Sequence, residues 1–292
     1  MDNIIFQIEG GLGKNILSTA VIRAINETYP DTKITVVTAY PDIWRCNPRI
    51  DKAIQFGKTD YFYKENIKNK NVEVFLHDPY RSNDYILGKK HLTEIWCDLC
   101  KVEWKGEKPE LYFTELEFEF VKTYVNKTDR PIFMIQPFGG SENQSHKYSW
   151  ARDITPGIAQ EIVNHMSKNY RVIQISRPDQ MILEGVELLK DLSTRQLILA
   201  MILSDKRLFI DSFMQHAAAA LELKSEVIWI VNDPKVLGYT LHNNLVTNFE
   251  VGDLRNSLYQ PFDILGDPIQ LATSINKLFD SKAIIEQIES QD

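Results

Sequence analysis

The chain has 292 residues, 43% hydrophobic and 25% charged, the balance of a soluble globular protein with length enough for two domains. No apolar run reaches the roughly 18–20 residues of a membrane-spanning helix, and MDNIIFQIEGG lacks the positive start of a secretory signal, so a cytoplasmic protein is expected. The net charge of −7 is uneven, with 18 basic against 19 acidic residues up to position 128 and 15 against 21 beyond it, so a polyanionic partner would meet less repulsion at the first part.

The apolar run IIFQI (residues 4–8) reads as a strand, EGGLGKN (9–15) as the turn after it, and NILSTAVIRAINETY as an apolar-periodic helix. KITVVTA, DKAIQF and VEVFLH follow as strands, and HLTEIWCDLCKV as a helix. Cys97 and Cys100 in that helix form one CxxC with no second Cys or His pair nearby. They are expected to be core-facing thiols, and with Cys46 they make an odd set that fits a reducing compartment. The rhythm breaks over PELYFTELEFEFVKTYVNKTDRP and restarts with PIFMIQPFGG, a helix over ITPGIAQEIVNHMSKN and the strand YRVIQIS. STRQLILAMILS, RLFI, MQHAAAALEL and EVIWIV complete the second series, and a last helix is expected near DPIQLATSINKLFDS. The pattern is α/β, two parallel-sheet units divided at 128/129, with the last helix free to pack back on the first domain.

Ligands of open parallel sheets bind at the carboxyl ends of the strands. Here those ends are EGGLGKN, TAYPD, HDPYRSND, QPFGGSENQ, SRPDQ, DSFMQH and VNDP, rich in Gly, carboxylate, amide and hydroxyl. The glycines of EGGLGKN let backbone N–H groups approach a phosphate or sugar, although a tight strand-to-helix turn would use them equally. The stretch fits neither GxxxxGK[ST] nor GxGxxG, which argues against a nucleotide-dependent dehydrogenase. Asp211 and Ser212 end a strand, and Ala217 to Ala220 let the next helix sit close to the sheet with its free N–H groups at the ligand edge. In QPFGGSENQSHKYSWARDI, Lys147 can offset phosphate charge, Trp150 can anchor the next helix, and His146 reads as a solvated loop residue.

Strand–DSxxxHxAAAL is similar to the D-[ST]-G-x-x-H-x-A-A-A-L signature of family 9 glycosyltransferases, the ADP-heptose:lipopolysaccharide heptosyltransferase group. GGLGKNILSTAVIRAI resembles their S-x-G-D-x-[IL] opening, and QPFGGSENQSHKYSW their P-G-[AG]…K-x-W segment. The resemblance implies a GT-B fold of two facing Rossmann-like domains. The acceptor would be held mainly by the first, and a nucleotide-diphosphate sugar mainly by the second. It further implies inverting transfer to a hydroxyl, with no cofactor and no catalytic metal. Carried over, Asp211, Ser212 and the N–H groups of Met214, Gln215 and His216 would receive the donor. Gly10, Gly11, Gly13, Gly139 and Gly140 would lie close to it, Lys147 would neutralise it, and Arg177, Asp179 or Gln180 would stand near its ribose.

Three positions depart from the family pattern. Lys14 stands where the family has its aspartate base, Phe213 replaces the signature glycine, and the K-x-W spacing is stretched. A lysine normally protonated at pH 7 is a poor base but can serve the leaving diphosphate by its charge. The base is then sought among Glu9, Asp78 and His77, in that order. The acceptor is left as a surface glycan or a modified base in DNA, as in phage DNA modification. A non-catalytic nucleotide- or sugar-binding protein of the same fold is the competing reading.

Overall fold

The computed structural model describes residues 1–58, 60–126, 128–139, 152–247 and 278–291. Two compact units make up the chain, Met1–Thr114 and Glu115–Asp292.

The first unit contains β1 (Asn3–Ile8), α1 (Leu12–Thr28), β2 (Lys33–Thr38), β3 (Lys52–Gln55), α2 (Phe62–Asn66), β4 (Val72–Phe75), α3 (Asn83–Ile86) and α4 (Leu92–Leu99). Its four strands are all parallel in the order β3-β2-β1-β4. β1 and β2 are buried almost throughout, which is why they read as continuous apolar runs rather than alternating ones. α4 covers part of the sheet, with the Trp96 ring 5.3 Å from that of Phe6. Cys97 and Cys100 are buried, as expected, and unpaired. Burial pushes the Cys97 thiol up to about 12 and the Cys100 thiol higher still, so neither is a thiolate at neutral pH.

The second unit contains α5 (Glu115–Val125), β5 (Ile132–Ile135), α6 (Pro156–Met166), β6 (Arg171–Gln174), α7 (Thr194–Ala200), β7 (Lys206–Ile210), α8 (Phe213–Ala220), β8 (Glu226–Trp229), α9 (Pro234–Leu237), β9 (Asn243–Val246) and α10 (Ser281–Glu289). Its five strands are parallel in the order β6-β5-β7-β8-β9. The core is built from residues such as Phe133, Ile135, Val163, Met166, Ile210 and Ile228.

The division falls earlier than the 128/129 boundary drawn from the sequence, because α5 is tied to the second unit. Arg195 donates from Nε and Nη2 to the two oxygens of Glu117 at 2.8 and 3.0 Å. Arg171 Nη1 donates to the Val125 carbonyl at 2.9 Å, and the Tyr124 hydroxyl to that of Lys190 at 2.7 Å. Most of DPIQLATSINKLFDS lies outside the described residues. α10, which follows it, packs Ile284, Ile285 and Ile288 into the core of the second unit.

Candidate functional site

In a doubly wound sheet the ligand edge is the place where successive connections leave in opposite directions. In the first unit β2 lies on one side of β1 and β4 on the other, so the switch point lies between β1 and β4. Glu9–Gly13 leave β1 there, and His77 and Asp78 follow β4. In the second unit β6 and β7 flank β5, and the switch point carries Gln136–Gly139 and Asp211–Ser212. EGGLGKN, HDPYRSND, QPFGGSENQ and DSFMQH therefore begin at a switch point, whereas SRPDQ follows the edge strand β6.

At the first switch point Gly10 has φ +99°, a conformation that side chains disfavour, and Gly11 precedes α1 in extended backbone. A side chain on Gly10 would also meet Lys14 Cδ at 3.2 Å. Lys14 Nζ donates to Asp78 Oδ1 at 2.8 Å and sits 5.2 Å from the Tyr80 ring centre and 5.3 Å from that of Trp96. Its side chain is only 8% exposed, so this cation is enclosed by one carboxylate and two aromatic faces. Asp78 Oδ1 also accepts from the Tyr80 amide at 3.3 Å, and Oδ2 lies 3.5 Å from Arg81 Nε. A hydroxyl would have to compete for those lone pairs. Glu9 is exposed, and Gln7 Nε2 donates to its Oε1 at 3.1 Å. His77 is exposed, with its ring 6.2 Å from Phe75.

Behind the glycine turn, Asn15 is fully buried. It donates to the Gly11 carbonyl at 3.1 Å and accepts from the Thr38 hydroxyl and from Trp44 Nε1. This ties the first turn of α1 to the end of β2. A depression of about 360 Å³ opens farther along this unit, lined by Trp44, Arg45, Asn47, Asp51 and Lys52 among others, and includes none of the strand-end residues above.

At the second switch point Ser212 precedes α8 in extended backbone without capping the helix by its own side chain; instead its hydroxyl accepts from Gln136 Nε2 at 3.1 Å. By helix geometry the N–H groups of Ser212, Phe213, Met214 and Gln215 are the ones α8 does not use internally. His216 is one residue too far in for its amide to join them, which corrects the expectation for that group. Its side chain is buried too, with Nδ1 2.8 Å from the Tyr239 hydroxyl. The Met214 side chain is in the core, and Gln215 Nε2 donates to the Leu237 carbonyl at 3.1 Å, so these residues offer the site only their amides. His242 Nε2 donates to the Gln215 carbonyl at 2.9 Å. Ala217, Ala218 and Ala219 are buried, consistent with the close seating read from the alanine run.

Asp211 accepts from Asn232 Nδ2. Burial pushes its carboxyl above the usual range, partly offset by that hydrogen bond and by the charge of Arg152. Gly139 donates its N–H to Asp153 at 2.9 Å, and a Cβ there would meet Arg152 Nε at 3.0 Å, so a larger residue would have to shift that side chain. Gln180 is buried and latches two loops, donating to the Gly139 carbonyl at 2.8 Å and accepting from the Arg177 amide at 2.9 Å. Arg177 donates to both oxygens of Asp179, at 3.0 and 3.2 Å. Gly140, His146, Lys147 and Trp150 lie outside the described residues.

Gln136, Tyr80 and Asn232 lie in stretches marked from the sequence but were assigned no role there, and neither were Arg152 and Asp153 at this edge or Trp96 beside Lys14. Gln136 carried a signal, since it directly follows an apolar strand. Trp96 carried none, because its place beside Lys14 depends on how α4 packs.

No protein-family description matches the sequence, and no curated protein sequence matches it. Solved structures do match. The glycosyl transferase family 9 protein from Veillonella parvula DSM 2008 is 12% identical with a TM-score of 0.71, covering 99% of this chain and 97% of that one. The iron-containing dodecameric glycosyltransferase TibC from enterotoxigenic E. coli H10407 is 14% identical with a TM-score of 0.69, over 99% of this chain and 75% of that one. E. coli ADP-heptose lps heptosyltransferase II is 14% identical with a TM-score of 0.64, over 99% of this chain and all of the other. At such identities the likeness is one of fold, and the fold is GT-B.

Proposed function

We propose that the protein is an inverting glycosyltransferase that moves a sugar from a nucleotide-diphosphate sugar to a hydroxyl acceptor. The observation that carries this reading is the coincidence of a GT-B fold over the whole chain with glycine turns, carboxylates and a free helix N-terminus at both switch points. In the proposed reaction the acceptor oxygen attacks the anomeric carbon while the bond to the diphosphate oxygen breaks. The electron pair leaves with the nucleoside diphosphate, and the acceptor proton passes to Glu9.

Ser212 and the amides of Phe213 to Gln215 receive the leaving diphosphate, and Lys147 and Arg152 offset its charge. The charge supplied by a helix end and two cations makes a metal unnecessary in this scheme. Activity lost in EDTA and restored by a divalent ion would contradict that part. No helix among the described residues is long and apolar enough to cross a membrane. The reaction is assigned to the cytoplasm, where nucleotide-sugar donors are made, and no stable membrane insertion is proposed.

A second reading is favoured by the Lys14–Asp78 pair, which places an enclosed cation where the resembling family carries an aspartate. On that reading the protein binds a nucleotide or sugar without turning it over. Screening thermal stabilisation against nucleotides and nucleotide-sugars tests the shared part of both readings. A ligand at 100 times its dissociation constant adds about 2.7 kcal/mol. Stabilisation by diphosphate nucleotides or their sugars is expected, and a flat response to the whole panel would contradict both.

A further inference from the structure

The segment 45–70 of the first unit carries seven basic residues against three acidic ones in a chain whose net charge is −7. The structure shows what its aromatic residues do. Tyr61 is 74% exposed, Tyr63 65% and Phe56 37%, so these rings are not spent on the core. α2 turns Phe62 and Asn66 inward instead, and Asn66 is held by Asn3 Nδ2 on its carbonyl at 3.2 Å. Tyr61 keeps its exposed position in left-handed backbone, φ +62°, which an aromatic residue rarely adopts. Lys58, Lys64 and Lys68 are exposed and have no acidic partner among the described residues. Tyr61 precedes α2, Lys64 lies within it and Lys68 just beyond its end, so exposed rings and exposed cations alternate along one short stretch of chain.

The patch also has a fixed relation to the acceptor-side edge. Ile8, Thr38 and Gln55 are aligned laterally across β1, β2 and β3. Glu9 and Phe56 are the next residues of their strands, so they leave the same edge of the sheet two strand spacings apart, roughly 10 Å.

We propose that this surface binds single-stranded nucleic acid, the bases stacking on Tyr61, Tyr63 and Phe56 and the phosphates meeting Lys58, Lys64 and Lys68. Charge selects a polyanion, and the flat exposed rings select one whose units carry π-faces. Read together with the proposed transferase activity, on which this consequence rests, the acceptor is a hydroxyl-bearing base in a nucleic acid strand.

Fluorescence anisotropy with a labelled 20-nucleotide oligo(dT) tests the patch on the full chain. Tyr61→Ala/Tyr63→Ala is expected to weaken binding at least about tenfold, while Tyr61→Phe, which keeps the ring, binds as the parent does. Three neutralised phosphates predict a slope of log affinity against log salt of roughly −2, which Lys58→Gln/Lys64→Gln/Lys68→Gln removes. Equal binding of an abasic strand of the same length would overturn the proposal in favour of charge alone. Tighter binding of a phosphorylated oligosaccharide would overturn it in favour of a glycan. Nucleotide stabilisation without oligonucleotide binding would refute this inference and leave the transferase reading standing; the converse result would do the reverse.

Discussion

Glu9 and Asp78 are both carboxylates at the carboxyl edge of the first sheet, and their surroundings separate them. Asp78 is engaged by Lys14 and by the Tyr80 amide, whereas exposed Glu9 accepts a hydrogen bond from Gln7 and keeps lone pairs open to an incoming hydroxyl. Loss of a general base typically costs about 10²–10⁴-fold. Glu9→Gln is therefore expected to lower turnover at least about a hundredfold with donor affinity nearly unchanged, since the lost interaction belongs to the transition state. Asp78→Asn is expected to lower turnover less than about tenfold. Steady-state kinetics with calorimetric donor binding check both, and the reverse ranking would move the base to Asp78. The sequence made both candidates visible, because each follows a strand. It did not show that Asp78 holds Lys14, a contact across 64 positions that arises only when β4 pairs with β1.

Among the elements, those fully covered by neighbours were the most legible. β1, β2, β5, β7 and β8 are short apolar runs bounded by polar turns, and α8 announced itself by its alanines. β9 was missed because NNLV is a half-exposed edge strand that opens with two asparagines and reads as a turn. α10 was missed although Ile284, Ile285 and Ile288 have helical spacing, its nine residues being overshadowed by the longer apolar pattern before it. α5 was visible as a charged helix-like stretch, but its membership of the second unit was not, because its ties reach residues far along the chain, among them the Arg195–Glu117 ion pair. That tie has a measurable weight. The Arg195 side chain is 3% exposed, and removing one partner of a buried pair costs roughly 3–5 kcal/mol. Glu117→Ala is expected near the lower end of that range in urea unfolding, because Glu117 is less deeply buried. A change below about 0.5 kcal/mol would mean that α5 is not an integral part of the second unit.

At the scale of the whole molecule, pH and chemistry give independent readouts. Burial at the start of β8 pushes the Glu226 carboxyl up to about 7, only partly offset by Asn243, Gln291 and two lysines. Between about pH 4.5 and 7 the folded chain keeps this proton and the unfolded chain does not, so this group lowers stability as pH rises through that window. Glu226→Gln should be more stable than the parent at pH 8 and not at pH 4, as read by denaturant midpoints. An unchanged difference between the two pH values would show that Glu226 is not the group responsible. Sugar transfer is read most directly by following nucleoside diphosphate release from a panel of nucleotide-sugars in EDTA, with and without hydroxyl-bearing glycan and nucleic acid acceptors. Acceptor-dependent release of nucleoside diphosphate is expected, with an inverted anomeric configuration in the product and strong loss on Glu9→Gln. Binding of nucleotide-sugars with no release in the presence of any acceptor would contradict it and leave a sugar-nucleotide binding protein.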